Sequence, residues 1–270
     1  VAVRRGSAAL WTAAFALTLV SAVWQRVSGP TYPARGDVVL GRETISLELA
    51  RSHGGPGDQP VVVPVADPEV SGEVAWRRFP SHEEWRRESM RREGDALVTA
   101  LPHQPPAGKL EYQVRLRRGD QEAVFPPRPA VTRFKGEVHP VVLIPHILAM
   151  FTGMLLANRA GLEALRRRGR PSAYAAWALA LILLGGFVLG PAVQKQAFGA
   201  WWTGVPFGWD LTDNKTLVAG VAWAWAVLRS RGGRQARGAV VVAALVTLVV
   251  FAIPHSAAGS ELDWSRMGGP

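Results

Sequence analysis

The chain has 270 residues, 48% of them hydrophobic, a net charge of +10 and no cysteine. Without cysteine there are no disulfides and no thiolate metal site. The apolar residues gather in long runs toward both ends of the chain, which points to a membrane protein rather than one soluble domain.

A bilayer crossing needs about 20 mostly apolar residues in helix. The first run, Ala8 to Trp24, follows Arg4 and Arg5 and carries Val20-Ser21-Ala22. It reads as a retained anchor over residues 1–28 or as a cleavable signal peptide.

Residues 29–138 change character, with turn formers such as Ser52-His53-Gly54-Gly55-Pro56 and Pro102-His103-Gln104-Pro105-Pro106 separating short alternating runs. In Lys109 to Arg118, Leu110, Tyr112, Val114 and Leu116 alternate with Glu111, Gln113, Arg115 and Arg117, the pattern of a strand with one buried face. Similar signals at Ile45–Leu49, Val61–Val65, Gly72–Phe79, Ala96–Leu101 and Glu122–Phe125 predict about seven strands, the range of an immunoglobulin-like β-sandwich, with Trp76 in its core. Segment 80–94 places Trp85 among Arg86, Arg87, Arg91 and Arg92, but Glu83, Glu84, Glu88 and Glu93 neutralise it, so it reads as a solvated strand pair or loop. His53, His82 and His103 lie in or beside turns and read as surface histidines.

Four further apolar runs follow: Val141 to Ala157, Ala173 to Val193, Thr216 to Leu228 and Ala239 to Ile253. The expected fold is thus an α+β membrane protein: an N-terminal anchor helix, the β-sandwich at 29–138, and a four-helix transmembrane bundle at 139–270 with a re-entrant loop at 194–215. Gly185-Gly186 and Gly190-Pro191 in the third span suit close helix approach or a kink, and Gly204 and Gly208 suit a tight turn.

The charge follows this division. Arg4, Arg5, Arg159, Arg166, Arg167, Arg168, Arg170, Arg229, Arg231, Arg234 and Arg237 are opposed in their three segments by Glu163 alone, so these segments carry the whole net charge of +10. They alternate with the spans as the positive-inside rule requires, which excludes a nucleic-acid footprint as the source of the basicity. The N-terminus is then cytoplasmic, and the β-sandwich, the 194–215 loop and the C-terminus are periplasmic, in a bacterial inner membrane.

The last two runs are short of a full crossing. The fourth must borrow turns from Trp209 to Lys215, and the fifth from His255 and Ser256. Asp210, Asp213, Asn214 and Lys215 therefore fall at the outer boundary, level with His139 and His146 at the start of the second span and His255 at the end of the fifth. Pro145 precedes His146 and frees an upstream carbonyl, with a helix break as one outcome. Ser256, Ser260, Glu261 and Asp263 add to this polar cluster.

Such a set suits several chemistries. His146 and His255 could ligate haem b, and His139, His146 and His255 with Asp213 could bind copper or zinc. A Ser-His-acid hydrolase on Ser256 or Ser260 lacks a nucleophile elbow, and an ion path through Asp213 and Lys215 lacks a polar relay in the inner halves of the spans. The alternative is a hydrogen-bonded polar cap, with Asp213 and Lys215 neutralising each other and the tryptophans forming an aromatic belt.

The combination of Arg133-Phe134-Lys135-Gly136-Glu137-Val138, Ile144-Pro145-His146, the run from Thr203-Gly204-Val205-Pro206-Phe207-Gly208 through Asp213-Asn214-Lys215-Thr216, and Ile253-Pro254-His255-Ser256 with Gly259-Ser260-Glu261-Leu262-Asp263 resembles an uncharacterised family of bacterial inner-membrane proteins with a periplasmic immunoglobulin-like domain. The resemblance covers roughly residues 95–264 and implies no activity or cofactor. The reading that follows is a non-enzymatic accessory or assembly subunit of a larger bioenergetic complex, respiratory or photosynthetic, in contact with lipid and with other membrane subunits. The alternative is a membrane redox protein holding haem b or copper.

Overall fold

The structure, a computed structural model, describes residues 2–41, 43–255 and 262, with side chains in the first helix from residue 7 onward. The protein is α+β and divides into a helical unit, Val1–Gly29 with the chain from Val138, and a sheet unit over Pro30–Glu137.

In the sheet unit, β1 (Ala34–Leu40) and β2 (Glu43–Leu49) form an antiparallel hairpin. A five-stranded sheet runs in the order β3 (Ser52–Gly54), β10 (Gln121–Lys135), β9 (Lys109–Arg118), β5 (Ser71–Arg78), β6 (Arg86–Ser89). A three-stranded sheet runs β4 (Gln59–Pro64), β8 (Ala96–Leu101), β7 (Arg91–Glu93). Among the described residues, only the β3–β10 pair is parallel. Leu110, Tyr112, Val114 and Leu116 are buried with Val61, Val63, Val74, Trp76 and Phe134 in one core, as the period-2 pattern requires.

One expectation is corrected here and one is met. The strand expected to stop at Phe125 continues to Lys135, with a register shift between Phe125 and Ala130 where prolines 126, 127 and 129 cannot donate to the ladder. Segment 80–94 contains strands β6 and β7, whose arginines pair across the surface: Arg87 with Glu73 at 3.2 Å, Arg91 with Glu93. His53 and His103 both turn an edge toward the Phe134 ring.

A buried polar chain ties the two larger sheets. The Thr132 hydroxyl on β10 donates to Gln59 Oε1 at 2.6 Å, the Gln59 amide reaches the Tyr112 hydroxyl at 3.4 Å, and Tyr112 donates to the Ala50 carbonyl at 2.7 Å. Burial pushes the Tyr112 phenol up, so the hydroxyl keeps its donating proton.

The helical unit contains α1 (Ala2–Val27), α2 (Pro140–Ala164), α3 (Ser172–Ile182), a π-helical segment (Leu183–Leu189), α4 (Gly190–Phe198), α5 (Leu211–Arg229) and α6 (Arg237–Ala252). The π segment joins α3 to α4, so helix runs from Ser172 to Phe198. Among the described residues, three helices are long and apolar enough to cross a membrane: Ser7–Val27, Pro140–Ala164 and Ser172–Phe198. At 16 residues α6 is about 24 Å long, short of the roughly 30 Å hydrocarbon layer. Pro145 does not break α2, which continues through it.

Contacts link α1 to α2 and α6, α2 to α3 and α6, and α5 to α3 and α6. Small residues set the spacing: Ala157, Ala160, Ala175, Ala178, Ala226 and Ala243 are buried together around Trp223. A Cβ on Gly161 would lie 2.6 Å from the Ala244 Cβ, so the α2–α6 approach requires glycine there. Trp223 donates its indole N–H to Thr247 Oγ1 at 2.7 Å, joining α5 to α6.

Replacing Tyr112 by Phe leaves the Ala50 carbonyl and the Gln59 amide without that partner, at a cost of about 1–3 kcal/mol. Amide exchange of β4 and β9 in the full chain should show the loss, whereas an unchanged protection pattern would mean that the chain of hydrogen bonds does not tie the sheets.

Candidate functional site

The helical unit has two polar ends. At one, the segment 199–210 is folded back onto the first turn of α5. Asp210 is the N-cap of α5, its Oδ1 accepting from the amides of Thr212 and Asp213 at 2.8 and 3.2 Å. Asp213, buried, points out of the helix into the loop: its Oδ2 accepts from the Thr203 amide at 2.6 Å, the Gly204 amide at 3.0 Å, the Thr203 hydroxyl at 3.2 Å and the Gln194 side chain at 3.1 Å. Asn214 Oδ1 accepts from the Val205 amide at 2.7 Å. One carboxylate and one amide thus take three consecutive backbone N–H groups. A Cβ on Gly204 would sit 2.6 Å from the Asp213 Cβ, which explains the glycine. The region expected as a loop over 194–215 is shorter, because 194–198 belong to α4 and 211–215 to α5.

Lys215 does something else. It is buried, and its Nζ donates to the carbonyl of Ile253, the C-cap of α6, at 2.6 Å. Gln25 on α1 donates to the carbonyls of Phe251 at 2.9 Å and Ile253 at 3.4 Å, and the Trp24 indole to Ala252 at 3.2 Å. The last carbonyls of a helix have no partner within it, and they form the negative end of its dipole, so an ammonium and two N–H donors there satisfy both demands. The expected mutual neutralisation of Asp213 and Lys215 is corrected: two residues apart, they leave the helix in different directions, one to the loop and one to α6.

The histidines divide. His139 caps α2, its Nδ1 accepting from the Val141 amide at 3.2 Å while its own backbone N–H goes to Gln196 at 2.7 Å. His146 contacts the π segment, with Nδ1 2.9 Å from the Gly185 carbonyl. A carbonyl only accepts, so Nδ1 carries a proton in this contact. His255 lies within electrostatic reach of Lys215, His146 and Asp210. Ser256, Ser260, Glu261 and Asp263 lie outside the described residues.

Among the described residues, no three of His, Asp and Glu come together as a metal site requires. A cavity lined by Gln25, Met150, Lys215, Thr216 and His255 measures about 20 Å³, room for about one water and far too little for a porphyrin. Among the described residues a three-ligand copper or zinc set is not assembled, and this cavity does not take a haem b.

The other end was read from sequence only as a topology signal. Arg159 is 2% exposed inside α2, paired with Glu163 at 2.7 Å and held between the rings of Tyr174 at 4.6 Å and Trp11 at 5.4 Å. Asn158 donates to Thr18 Oγ1 at 3.0 Å, tying α2 to α1 beside it. Gln25, Gln194 and Gln196 were equally missed. Their signal in sequence is a lone amide at the end of an apolar run.

No family model matches the chain, and no match was found among curated proteins or solved structures.

Asp213→Ala removes the acceptor for two buried amides, and the loop should open with a loss of about 1.5–3 kcal/mol. Limited proteolysis between 199 and 210, rising in the variant but not in Asp210→Ser, which keeps a capping oxygen, reads this directly. Lys215→Met keeps the stem but uncaps α6. A drop in thermal stability of about 1–3 kcal/mol is expected, with the loop still closed to protease.

Proposed function

We propose that the chain is a non-catalytic accessory subunit of a larger membrane complex, held in a bacterial inner membrane by α1 and by α2, α3–α4, α5 and α6 acting as a four-helix bundle. The closed circuit of contacts through α2, α3, α5 and α6 supports the bundle. In this reading the domains are an anchor over 1–28, an immunoglobulin-like sandwich over 29–138 and the bundle over 139–270. Stacked antiparallel sheets sharing one core support the sandwich.

The observation that carries the function is the use made of the polar groups. Asp210, Asp213, Asn214 and Lys215 are all engaged in capping helices or holding the 199–210 loop, and His139 caps α2. Groups committed in this way serve shape, and shape serves docking. The arginines at 166–168, 170, 231 and 234 supply the orientation: that end of the bundle cytoplasmic, the loop end and the sandwich periplasmic.

Purification at native expression in a mild detergent tests the reading. The chain should elute with other membrane subunits, and subunits of a respiratory or photosynthetic complex among them would give the finer identity. A monodisperse monomer without companions would overturn it. So would a stoichiometric Soret band that disappears in His146→Ala, which would restore the redox alternative.

A further inference from the structure

The loop between α4 and α5 presents its aromatic side chains outward. Phe207 is 81% exposed and Trp209 87%, with Trp201 at 59% and Val205 at 40% beside them. One aromatic faces inward: Trp202 stacks on Phe187 of the π segment with ring centroids 5.7 Å apart, and its indole N–H donates to the Val205 carbonyl at 3.1 Å. Exposed aromatics on a floppy loop would mean little, but this loop is held. Asp213 and Asn214 bind its amides at 203, 204 and 205, while the amides of Phe207 and Gly208 go to the Gly204 carbonyl and that of Asp210 to the Thr203 carbonyl. Lys195 Nζ closes the start of the loop on the Gly199 carbonyl at 2.8 Å.

In water, an irregular loop has no need to satisfy its backbone internally, because solvent does so. From the headgroups inward the supply of water falls, until in the hydrocarbon core a bare N–H costs several kcal/mol. A loop with the amides of 203, 204, 205, 207, 208 and 210 taken by the first turn of α5 and by its own carbonyls, and with Trp, Phe and Val turned outward, is matched to that layer. Its composition agrees: between Gly199 and Trp209 there is no charged residue, and Asp210 is turned onto the helix it caps. Its position agrees as well, since it starts where the apolar helix Ser172–Phe198 ends.

We infer that residues 199–209 form a rigid interfacial foot that inserts Trp201, Phe207 and Trp209 into the headgroup and upper acyl layer of the bilayer. The occupant of this surface is lipid, not a protein partner. The inference rests on the membrane reading of Ser172–Phe198 and not on the subunit role.

The chain contains no cysteine, so single-cysteine variants need no background removal. The full chain in lipid nanodiscs, spin-labelled at Phe207→Cys or Trp209→Cys, is compared by electron paramagnetic resonance with Arg231→Cys in the exposed α5–α6 connection and Trp177→Cys on the exposed side of α3. Both side chains point away from the rest of the protein, so labelling leaves the fold intact. Oxygen collides preferentially with labels in lipid, a nickel chelate with labels in water. The expected result is an oxygen-to-nickel collision ratio at 207 and 209 several-fold above that at 231 and below that at 177. A ratio at 207 and 209 equal to that at 231, with 177 still in lipid, overturns the foot alone. Collisions suppressed for both reagents overturn it in favour of a protein cover. If 177 itself reports water, the membrane reading fails and the foot with it.

Discussion

A helix leaves its last carbonyl groups with no partner of its own, and where they are buried there is no water to replace one. At the end of α6 other elements supply the donors, and much of the helical unit is arranged around it. Lys215, Gln25 and Trp24 converge on the carbonyls of Phe251, Ala252 and Ile253. This single demand sets the end of α1 and the first turn of α5 against α6. The same first turn of α5 carries a second, separate device, Asp213 and Asn214, which gather the 199–210 loop by its amides.

The opposite end solves a different problem. A guanidinium as buried as that of Arg159 is tolerable only when paired and hydrogen-bonded. Glu163 one turn on, with the faces of Tyr174 and Trp11, supplies that environment, and Glu163 also accepts from the Arg170 amide in the turn that follows α2. The pair is electrically neutral. The net positive charge of this segment therefore comes from Arg166, Arg167, Arg168 and Arg170, which follow it in the chain.

What could be read in advance depended on how local the cause was. The burial of Leu110, Tyr112, Val114 and Leu116 follows from alternation within ten residues, and the start of α5 within 209–215 from an apolar run that has to borrow its first turns there. The extension of β10 past Phe125 was hidden by prolines, because in sequence a proline argues for a stop while in this sheet it marks a register shift. The partners of Asp213 and Lys215 were out of reach. Both residues stand out as costly at a boundary, but whether they face each other, a metal or a backbone amide is decided by how the loop folds over α5, and no periodicity encodes that.

The separations along the chain also differ in kind. Asp213 meets the Thr203 and Gly204 amides ten and nine residues away, so loop and helix start can form as soon as both have been synthesised. Lys215 must wait for a carbonyl 38 residues later, and Gln25 for one 226 residues later. The amide of Gln25 therefore finds its acceptor only after α6 has been synthesised, so the contact between the ends of α1 and α6 can close no earlier than that, and order in the helical unit is built from the local α4–α5 loop outward to this long-range pair.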